Sequence, residues 1–442
     1  MNSTKRLYQA MSPGLARVAA RARNNPTERM QSLAHHLDVE ALRRSYDRIK
    51  PNAAVGIDGV TKRAYGQELE ANIQDLHERL RTKRYRHQPI RRVHIPKDKG
   101  KTRPIGISTI EDKIVQGALC EVLEAIYEQD FEDFSYGFRP GRGARDALRS
   151  LDRALAPGGM RWVLELDIAS FFDSLDRAKL GEMLQERIAD TSLMRLVGKC
   201  LHVGVLDGEA FSRPEEGTVQ GSRLSPMLGN IYLHHVLDRW FVDEVRPRMR
   251  GSAALVRYAD DAVFCFEHRS DAERVMSVLD KRLARFGLEL HPGKTRLLDF
   301  RCPPEGQKAG KSAGTFDFLG FTLYWRRSRK SNWYVASKTR RERVQRAKRA
   351  INDWCRRHRH RSVEDQHVAL TRRIQGHINY FGVRGNTRSL AVVVEAAKRA
   401  WYKWLNRRSQ RSRLNWERFV DLLRDYPLPK PRARWVLWGE PL

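Results

Sequence analysis

The sequence contains few cysteines, and their arrangement excludes two kinds of site. The 442 residues include five cysteines, scattered singly between Cys120 and Cys355 without a Cys-x-x-Cys pair. Structural zinc sites and disulfide frameworks need cysteines at paired spacings. We therefore expect neither. The composition fits a reduced cytosol.

Long apolar runs are also missing. No stretch approaches the roughly 20 apolar residues that a membrane-spanning helix needs. Residues 1–23 are polar and basic, without the apolar core of a secretory signal. We therefore expect no membrane partner.

Acidic residues are too few to balance the basic ones. The 83 Lys and Arg residues exceed the 53 Asp and Glu residues, which gives a formal net charge of +30. Such an excess of positive charge causes repulsion within the protein and favours a polyanionic partner. Nucleic acid is the first candidate, and an anionic membrane surface is the second. Hydrophobic residues make up 41% of the chain, which is enough for a core, and the length predicts about two to four domains.

Three of the acidic residues lie where predicted strands end. Residues 255–266 form two β-prone arms that meet at Asp260 and Asp261, which predicts a hairpin with two carboxylates at its tip. Residues 162–166 form another strand-like run, followed by Asp167. If these strands are neighbours, the carboxylates converge and can hold two Mg²⁺ ions for phosphoryl transfer. An isolated Asp-Asp at a hairpin tip is more often an ordinary turn.

Two basic, glycine-containing segments precede these strands. Residues 90–107 predict a hairpin whose tip carries Lys97 and Arg103. Such a tip is usually just solvated, but these cations also suit contact with a triphosphate. The loop at residues 135–143 combines Arg139 with aromatic residues, which suits contact with a template strand by phosphate pairing and stacking. A packed loop followed by a surface helix is an equally good interpretation.

Several further positions near the aspartates have possible roles. Phe172, just past Asp167, could test the sugar of an incoming nucleotide, although a core phenylalanine is the simpler interpretation. Gln220, in a polar loop at residues 214–226, could position that nucleotide. Lys294 adds a cation near the sheet, with a surface turn as the alternative. Residues 316–322 predict an apolar strand that closes the same sheet.

The composition changes at residue 326, beyond which basic and mostly helical sequence follows. Residues 326–330 and 338–361 are densely basic, and most of the 10 tryptophans lie in this part of the chain. Basic helices with aromatic stripes suit a domain that clamps a duplex, while a helical bundle with tryptophan cores is equally compatible. Across the whole chain, helices are predicted at residues 37–49, 64–81, 111–131, 144–155, 177–188, 227–240, 271–286, 363–381, 389–408 and 416–425.

The order of these segments is more specific than any one of them. The basic hairpin, Phe-Arg-Pro-Gly, the strand ending in Asp, Gln-Gly-x-x-x-Ser-Pro, Tyr-Ala-Asp-Asp, Gly-Leu-x-Leu-x-Pro-x-Lys-Thr and Phe-Leu-Gly-Phe resemble the successive blocks of a reverse transcriptase. The resemblance is to bacterial group II intron-encoded reverse transcriptases/maturases, and it covers about residues 46–428. No Cys-rich His-Asn-His module follows, so the resemblance implies the form without its own DNA-cutting domain.

The resemblance implies an α/β chain with an α+β palm, folded as a right-hand polymerase. Residues 1–50 would be a basic N-terminal extension, 51–160 the fingers with the start of the palm, 161–325 the palm with an inserted fingers segment, and 326–442 the helical thumb or maturase X domain. It also implies template RNA, intron RNA, a DNA primer or target and dNTPs as partners, and a monomer or dimer as the oligomeric state.

Roles for single residues follow from the same resemblance. Two Mg²⁺ ions would be held by the aspartates and by residue 168. The remaining positions would contact the nucleotide or the template and primer. In full, these are Asp167, Ile168, Asp260 and Asp261 for metal and catalysis; Lys97, Arg103, Phe172, Gln220, Gly221 and Lys294 for the nucleotide; and Arg139, Tyr258, Phe318, Leu319 and Gly320 for template and primer.

Two other functions remain open from the sequence. One is a stand-alone, domesticated reverse transcriptase, for example in phage defence. The other is an RNA-binding splicing factor without polymerase activity. The intact trio of aspartates argues against the second, because a carboxylate cluster without catalytic use would only repel the RNA ligand of a basic protein.

Overall fold

A computed structural model describes residues 11–96, 102–156, 159–207, 210–212, 217–218, 221–303, 314–328, 331–408 and 414–437. Lys97 and Gln220, both predicted to contact the nucleotide, lie outside the described residues. Within these ranges no helix is both long enough and apolar enough to cross a membrane.

The eleven described strands form three sheets. The central sheet has the order β6-β7-β3-β8, the hairpin sheet β2-β1-β4-β5, and the C-terminal sheet β11-β10-β9. The strands are β1 (Ile90–Pro96), β2 (Thr102–Ile107), β3 (Trp162–Leu166), β4 (Val205–Asp207), β5 (Ala210–Ser212), β6 (Ala253–Tyr258), β7 (Asp261–Phe266), β8 (Arg296–Asp299), β9 (Phe316–Phe318), β10 (Phe321–Arg327) and β11 (Trp333–Thr339).

The central sheet confirms that the aspartate-bearing strands are neighbours. β3 pairs antiparallel with β7 on one side and with β8 on the other, and β6 pairs with β7 across the hairpin turn. The basic hairpin is also confirmed, since β1 and β2 pair antiparallel from Arg91↔Ile107 to Pro96↔Thr102.

The predicted strand at residues 316–322 is wrong as a single strand that closes the central sheet. The chain turns at Leu319 and Gly320, which have φ angles of 51° and 82°, so β9 and β10 pair as a hairpin in the separate C-terminal sheet. A glycine inside a strand pattern often marks such a break. Residues 326–327 and 338–339, which the sequence analysis assigns to mostly helical stretches, lie in β10 and β11, and the boundary predicted between residues 325 and 326 falls inside β10.

Helices surround the sheets, and the predicted ones begin within two residues of the predicted positions. Several start at a side-chain cap: Ser12, Asp38 and Thr109 each accept a hydrogen bond from a backbone N–H of the first turn. The described α-helices are α1 (Pro13–Asn24), α2 (Val39–Asp47), α3 (Lys62–Tyr65), α4 (Leu69–Arg81), α5 (Ile110–Tyr127), α6 (Ala144–Ala154), α7 (Arg177–Gln185), α8 (Thr191–Leu201), α9 (Ser225–Leu233), α10 (Arg269–Ala284), α11 (Arg341–Arg357), α12 (Val363–Phe381), α13 (Thr387–Leu405) and α14 (Trp416–Asp425).

Three apolar clusters hold these elements together. The largest packs the helices of the N-terminal half against one face of the central sheet. A second joins α6 and the other face of that sheet to the C-terminal sheet and to Trp435. A third lies among α11, α12, α13 and α14, where Trp401 is wholly buried. Both faces of the central sheet are buried, so the sheet is held in place between the surrounding elements. The three aspartates at its end are therefore held in place as well.

Candidate active site

The three aspartates meet at one end of the central sheet. In the β3–β7 register Leu166 lies opposite Ala262, so the next step places Asp167 opposite Asp261. Tyr258 pairs with Asp261, which leaves Ala259 and Asp260 as a two-residue turn. Ala259 has φ 57°, the left-handed conformation that such tight hairpin turns require. The turn geometry therefore places two consecutive carboxylates beside a third from the neighbouring strand.

The crowding of these carboxylates changes their acidity. Burial and the Asp167 charge raise the pKa of Asp260, while Arg103 and Lys294 oppose that rise. Burial, Asp260 and Asp167 together raise the pKa of Asp261 to about 6. Asp261 keeps an exposed surface, so protein surrounds this carboxylate on some sides while solvent reaches it on another. Such a site attracts cations, because a bound positive charge relieves the repulsion among the carboxylates.

One cation already contacts the group. The Nζ atom of Lys294 lies 2.8 Å and 3.0 Å from the two carboxylate oxygens of Asp167. The backbone holds this lysine in place, because His291 N–H donates to the Asp167 carbonyl (2.8 Å) and Leu290 bridges to Ile168. From the sequence, Lys294 is either a surface-turn lysine or a cation of the site. In the structure it contacts Asp167.

The donor atoms suit Mg²⁺, although no metal cage is preformed. Over the described ranges no group of three or more His, Cys, Asp or Glu side chains is arranged to hold an ion. Carboxylate oxygens are nonetheless the ligands that Mg²⁺ prefers. The buried side chain of Ile168 leaves only its backbone carbonyl as a possible ligand. Metal binding at Asp167 would require Lys294 to give up its contact.

A buried arginine that the sequence analysis did not single out organises the Asp260–Asp261 hairpin. Arg257 has no exposed surface, and its guanidinium donates to Asp238 (2.7 Å), Asn230 (3.0 Å), the Ser135 hydroxyl (2.7 Å) and the Ala259 carbonyl (3.1 Å). These bonds tie the turn to the helical segment behind it. The available signal was a charged residue inside an otherwise apolar strand, because a buried charge needs partners.

The hairpin sheet brings positive charge towards the aspartates. Arg103, on β2, is close enough to oppose the pKa rise of both Asp260 and Asp173. Gly221, with φ 110°, packs against the same strand, since a β-carbon there would lie 2.4 Å from the Gly106 carbonyl oxygen. Arg103 therefore lies near the aspartates, and Gly221 packs against the strand that carries it.

Phe172, five residues after Asp167, packs beside α9. Its ring is half-buried and lies 5.1 Å, centroid to centroid, from that of Phe171, which is buried. Gly229 of α9 leaves room for both rings, because a β-carbon on this glycine would lie 3.1 Å from each. Phe171 is thus a core residue, whereas Phe172 is only partly buried and keeps an accessible surface.

Two of the predicted template and primer contacts need correction. Arg139 is buried: its guanidinium pairs with Glu128 (3.1 Å) and donates to the carbonyls of Glu132 and Ser135, so it has no surface to offer a strand. The Phe318 side chain is 4% exposed and belongs to the apolar cluster around the C-terminal sheet. The Arg139 side chain thus holds its own loop together, and the Phe318 side chain belongs to the core.

The other three positions lie near the aspartates. Tyr258 is half-buried and precedes the catalytic turn. The Leu319–Gly320 turn is tied to α12, because the Tyr380 hydroxyl donates to the Leu319 carbonyl (3.0 Å). Burial raises the pKa of the Tyr380 phenol, and the nearby Tyr258 and Asp261 raise it further. The Leu319–Gly320 turn and the Asp260–Asp261 hairpin thus both lie close to Tyr380.

Comparison with known proteins agrees with this geometry. Residues 95–323 match the family described as "Reverse transcriptase (RNA-dependent DNA polymerase)". Protein YkfC of Escherichia coli K12 is 34% identical over 315 residues, which cover 64% of this chain and 79% of YkfC. The group II intron-encoded protein LtrA of Lactococcus lactis is 37% identical over 197 residues, 44% of this chain and 32% of LtrA. Nuclear intron maturase 4 of Arabidopsis thaliana is 27% identical over 219 residues, 48% of this chain and 25% of that protein.

The family match covers more than half of the chain and includes all three aspartates. The alignment to YkfC extends over most of that protein, whereas the alignment to LtrA spans about a third of LtrA. The strand order, the aspartate-bearing hairpin and these similarities agree, and the chain belongs to the reverse transcriptase family of RNA-dependent DNA polymerases.

Proposed function

We propose that this protein is the reverse transcriptase and maturase of a group II intron, which copies RNA into cDNA and binds its intron RNA to promote splicing and retrohoming. The observation that carries the polymerase assignment is the convergence of Asp167, Asp260 and Asp261 at one end of the central sheet. The similarity to LtrA and to an intron maturase supports the intron part. The formal charge of +30 suits a nucleic-acid partner.

The reaction assigned to this site is nucleotidyl transfer. The primer 3′-hydroxyl oxygen bonds to the α-phosphorus of a dNTP, the bond to the pyrophosphate oxygen breaks, and the hydroxyl proton is released. Two Mg²⁺ ions, when bound, would lower the pKa of that hydroxyl and neutralise charge on the pyrophosphate. Asp167, Asp260, Asp261 and the Ile168 carbonyl are the proposed ligands.

The protein's other groups orient the nucleotide. We assign Arg103 and Lys97 to the triphosphate, Gln220 and Gly221 to nucleotide placement, and Phe172 to exclusion of a ribose 2′-hydroxyl. The Lys294 side chain contacts Asp167 and is 55% exposed. We assign it to proton transfer towards the leaving pyrophosphate. These roles fit preorganised electrostatic stabilisation, in which fixed charges face the phosphates before reaction.

The architecture suggests a division into fingers, palm and thumb. In this proposal the hairpin sheet belongs to the fingers, the central sheet is the palm, and the helical cluster of α11 to α14 is the thumb or X domain. Because β10 crosses residues 325 and 326, the thumb helices begin at Arg341. Of the helices in this unit, α11 has basic residues on its exposed face while Ile351 and Trp354 face the cluster, as expected for a helix that lies against a nucleic-acid backbone.

Primer extension tests the polymerase assignment. A DNA primer on an RNA template, with dNTPs and Mg²⁺, should yield full-length cDNA with the wild-type protein and none with Asp260→Asn. Asp280→Asn, which removes the same charge from an exposed position on α10, should retain synthesis. Synthesis by Asp260→Asn would contradict the metal assignment.

A splicing assay tests the maturase role separately. Intron RNA transcribed from the sequence that flanks the gene should splice faster with the protein than without it, and Asp260→Asn should keep this effect because RNA binding does not need the metal site. Intact polymerase activity without any effect on splicing would favour the domesticated enzyme. RNA binding with splicing but no synthesis would favour the splicing factor.

A further inference from the structure

Phe138 combines two unfavourable features next to the candidate active site. Its side chain is 58% exposed, the largest exposed fraction of any large hydrophobic residue that the structure describes. Its backbone has φ 58°, a left-handed conformation that bulky residues rarely adopt. Exposure removes the hydrophobic benefit of the ring, and the backbone conformation costs free energy. Neither feature contributes to folding.

The loop that carries Phe138 is fixed on both sides. A β-carbon on Gly137 would lie 2.3 Å from the Ala259 nitrogen, so this backbone rests directly on the catalytic turn, and the Gly137 carbonyl accepts from Asn230 (2.7 Å). On the other side, the Arg139 guanidinium is 2% exposed and donates to the Glu132 and Ser135 carbonyls. The neighbours of Phe138 thus fix the position of its backbone beside the turn.

The position of the ring suggests its use. The Phe138 and Tyr258 ring centroids lie 6.4 Å apart, and Tyr258 pairs with Asp261 across the turn. Three further non-glycine residues with positive φ, namely Ser170, Ala259 and Leu319, lie in the segments around the aspartates. Backbone strain concentrates at functional sites, where the rest of the fold offsets its cost.

We propose that Phe138 is a stacking platform for a nucleobase of the primer–template duplex, beside the base pair at the reacting 3′ end. The inference rests on the proposed polymerase function and adds a contact to the same site. Aromatic side chains stack on bases of any sequence, because every base has a π-face. An exposed ring held beside catalytic carboxylates meets this need, whereas the buried Arg139 does not.

The first test separates stacking from a structural role. Phe138→Asn introduces a residue that tolerates positive φ and removes the exposed ring, so its melting temperature should equal or exceed that of the wild type. Its affinity for a primer–template duplex should fall roughly 5- to 150-fold, the range for loss of one stacked base. Phe138→Tyr should keep both properties. Val278→Asn, which removes a 47% exposed apolar side chain on α10, should leave affinity unchanged.

A structural role predicts the opposite pattern. If the ring supports the fold, Phe138→Asn lowers the melting temperature, and duplex affinity changes no more than stability does. Phe138→Leu, which keeps an apolar side chain, then restores both. Under the stacking proposal Phe138→Leu remains as defective in duplex binding as Phe138→Asn.

Fluorescence identifies the base. 2-Aminopurine is placed in turn at each of the last positions of the primer and at the facing template positions, and its emission is measured with the protein and without dNTPs. Stacking on Phe138 should quench one position, with recovery in Phe138→Leu. A quenched primer position assigns the ring to the primer and a quenched template position to the template, while equal emission in both proteins at all positions would overturn the proposal.

The outcomes also separate this inference from the proposed function. If the wild type extends the primer but Phe138→Leu matches it in affinity and fluorescence, the stacking proposal fails and the polymerase assignment stands. If the wild type extends no primer, the polymerase assignment fails, and the binding measurements without dNTPs still decide whether Phe138 contacts a base.

Discussion

Arg257 and Asp238 form an ion pair in which neither side chain has exposed surface, with Arg257 Nε 2.7 Å from the Asp238 carboxylate. The same guanidinium donates to the carbonyl of Ala259, the residue just before Asp260 and Asp261. The position of Asp260 and Asp261 thus depends on a charge pair behind the sheet. Breaking one partner of a buried pair leaves the other charge uncompensated, which is far costlier than the loss of an exposed contact.

Asp238→Asn should therefore lower the free energy of unfolding by about 3–5 kcal/mol, as measured by urea denaturation. Glu273→Gln is the matched control, since the Arg269–Glu273 pair is 65% and 50% exposed and should contribute less than about 1 kcal/mol. Similar losses of unfolding free energy in the two variants would show that burial does not increase the contribution of the Arg257–Asp238 pair to stability.

Gly137→Ala should reduce both primer extension and stability. The new methyl group would lie 2.3 Å from the Ala259 nitrogen, so the catalytic turn or the loop must move. Gly181→Ala is the control: nothing lies within 4 Å of a β-carbon there, and alanine inside α7 should stabilise the protein by roughly 0.5–1 kcal/mol. Activity assays and thermal melts of both variants decide the matter. Unchanged synthesis by Gly137→Ala would contradict close packing of this loop on the turn.

Lys294→Met should make the protein more dependent on Mg²⁺. Without the ammonium group on Asp167, repulsion among the three carboxylates is less compensated when no metal is bound, and the ligand oxygens are free for an ion. Thermal melts over a Mg²⁺ titration should show a lower starting melting temperature and a larger rise than in the wild type. Lys281→Met, at an exposed position on α10, should follow the wild type. Identical curves for Lys294→Met and the wild type would show that the lysine does not compete with the metal.

Glu124 should make the protein less stable as the pH rises. Burial and the nearby Glu128 charge raise its pKa to about 7, above the ordinary value of 4.5. The folded state therefore binds the proton more tightly than the unfolded state, so this contribution is complete below about pH 4.5 and is lost as the pH rises through about 7. Glu124→Gln should flatten the dependence of unfolding free energy on pH in that window, and Glu68→Gln, at an exposed position, should not. A wild-type profile that Glu124→Gln leaves unaltered would contradict the raised pKa.

Much of the secondary structure could be predicted from local pattern. Apolar residues at helical spacing identified 363–381 and 416–425 with the bounds that the structure shows. Alternation and turn residues identified the basic hairpin and the catalytic hairpin. These features depend on interactions between residues close in the chain, and such interactions are written directly in the sequence.

The residues predicted least well are those whose burial depends on three-dimensional packing and not on the local pattern of residue types. Arg139 was expected to contact a template, yet the carbonyls of Glu132 and Ser135 and the Glu128 carboxylate bind its guanidinium. The strand predicted at residues 316–322 splits at Leu319 and Gly320 because both adopt positive φ and β10 pairs with β11. An arginine or an apolar run has the same local pattern whether it ends up exposed or buried, at an edge or in a hairpin.

The sequence by itself determined the order of the motifs, the basic charge, and the presence of one carboxylate at a strand end and two at a hairpin tip. Only the tertiary structure decided that Asp167 lies opposite Asp261, that Lys294 contacts Asp167, and that Arg257 is buried behind the turn. The physical reason is that strand pairing and side-chain contacts join residues far apart in the chain: Leu166 pairs with Ala262, 96 positions away, and the lysine contact spans 127 residues.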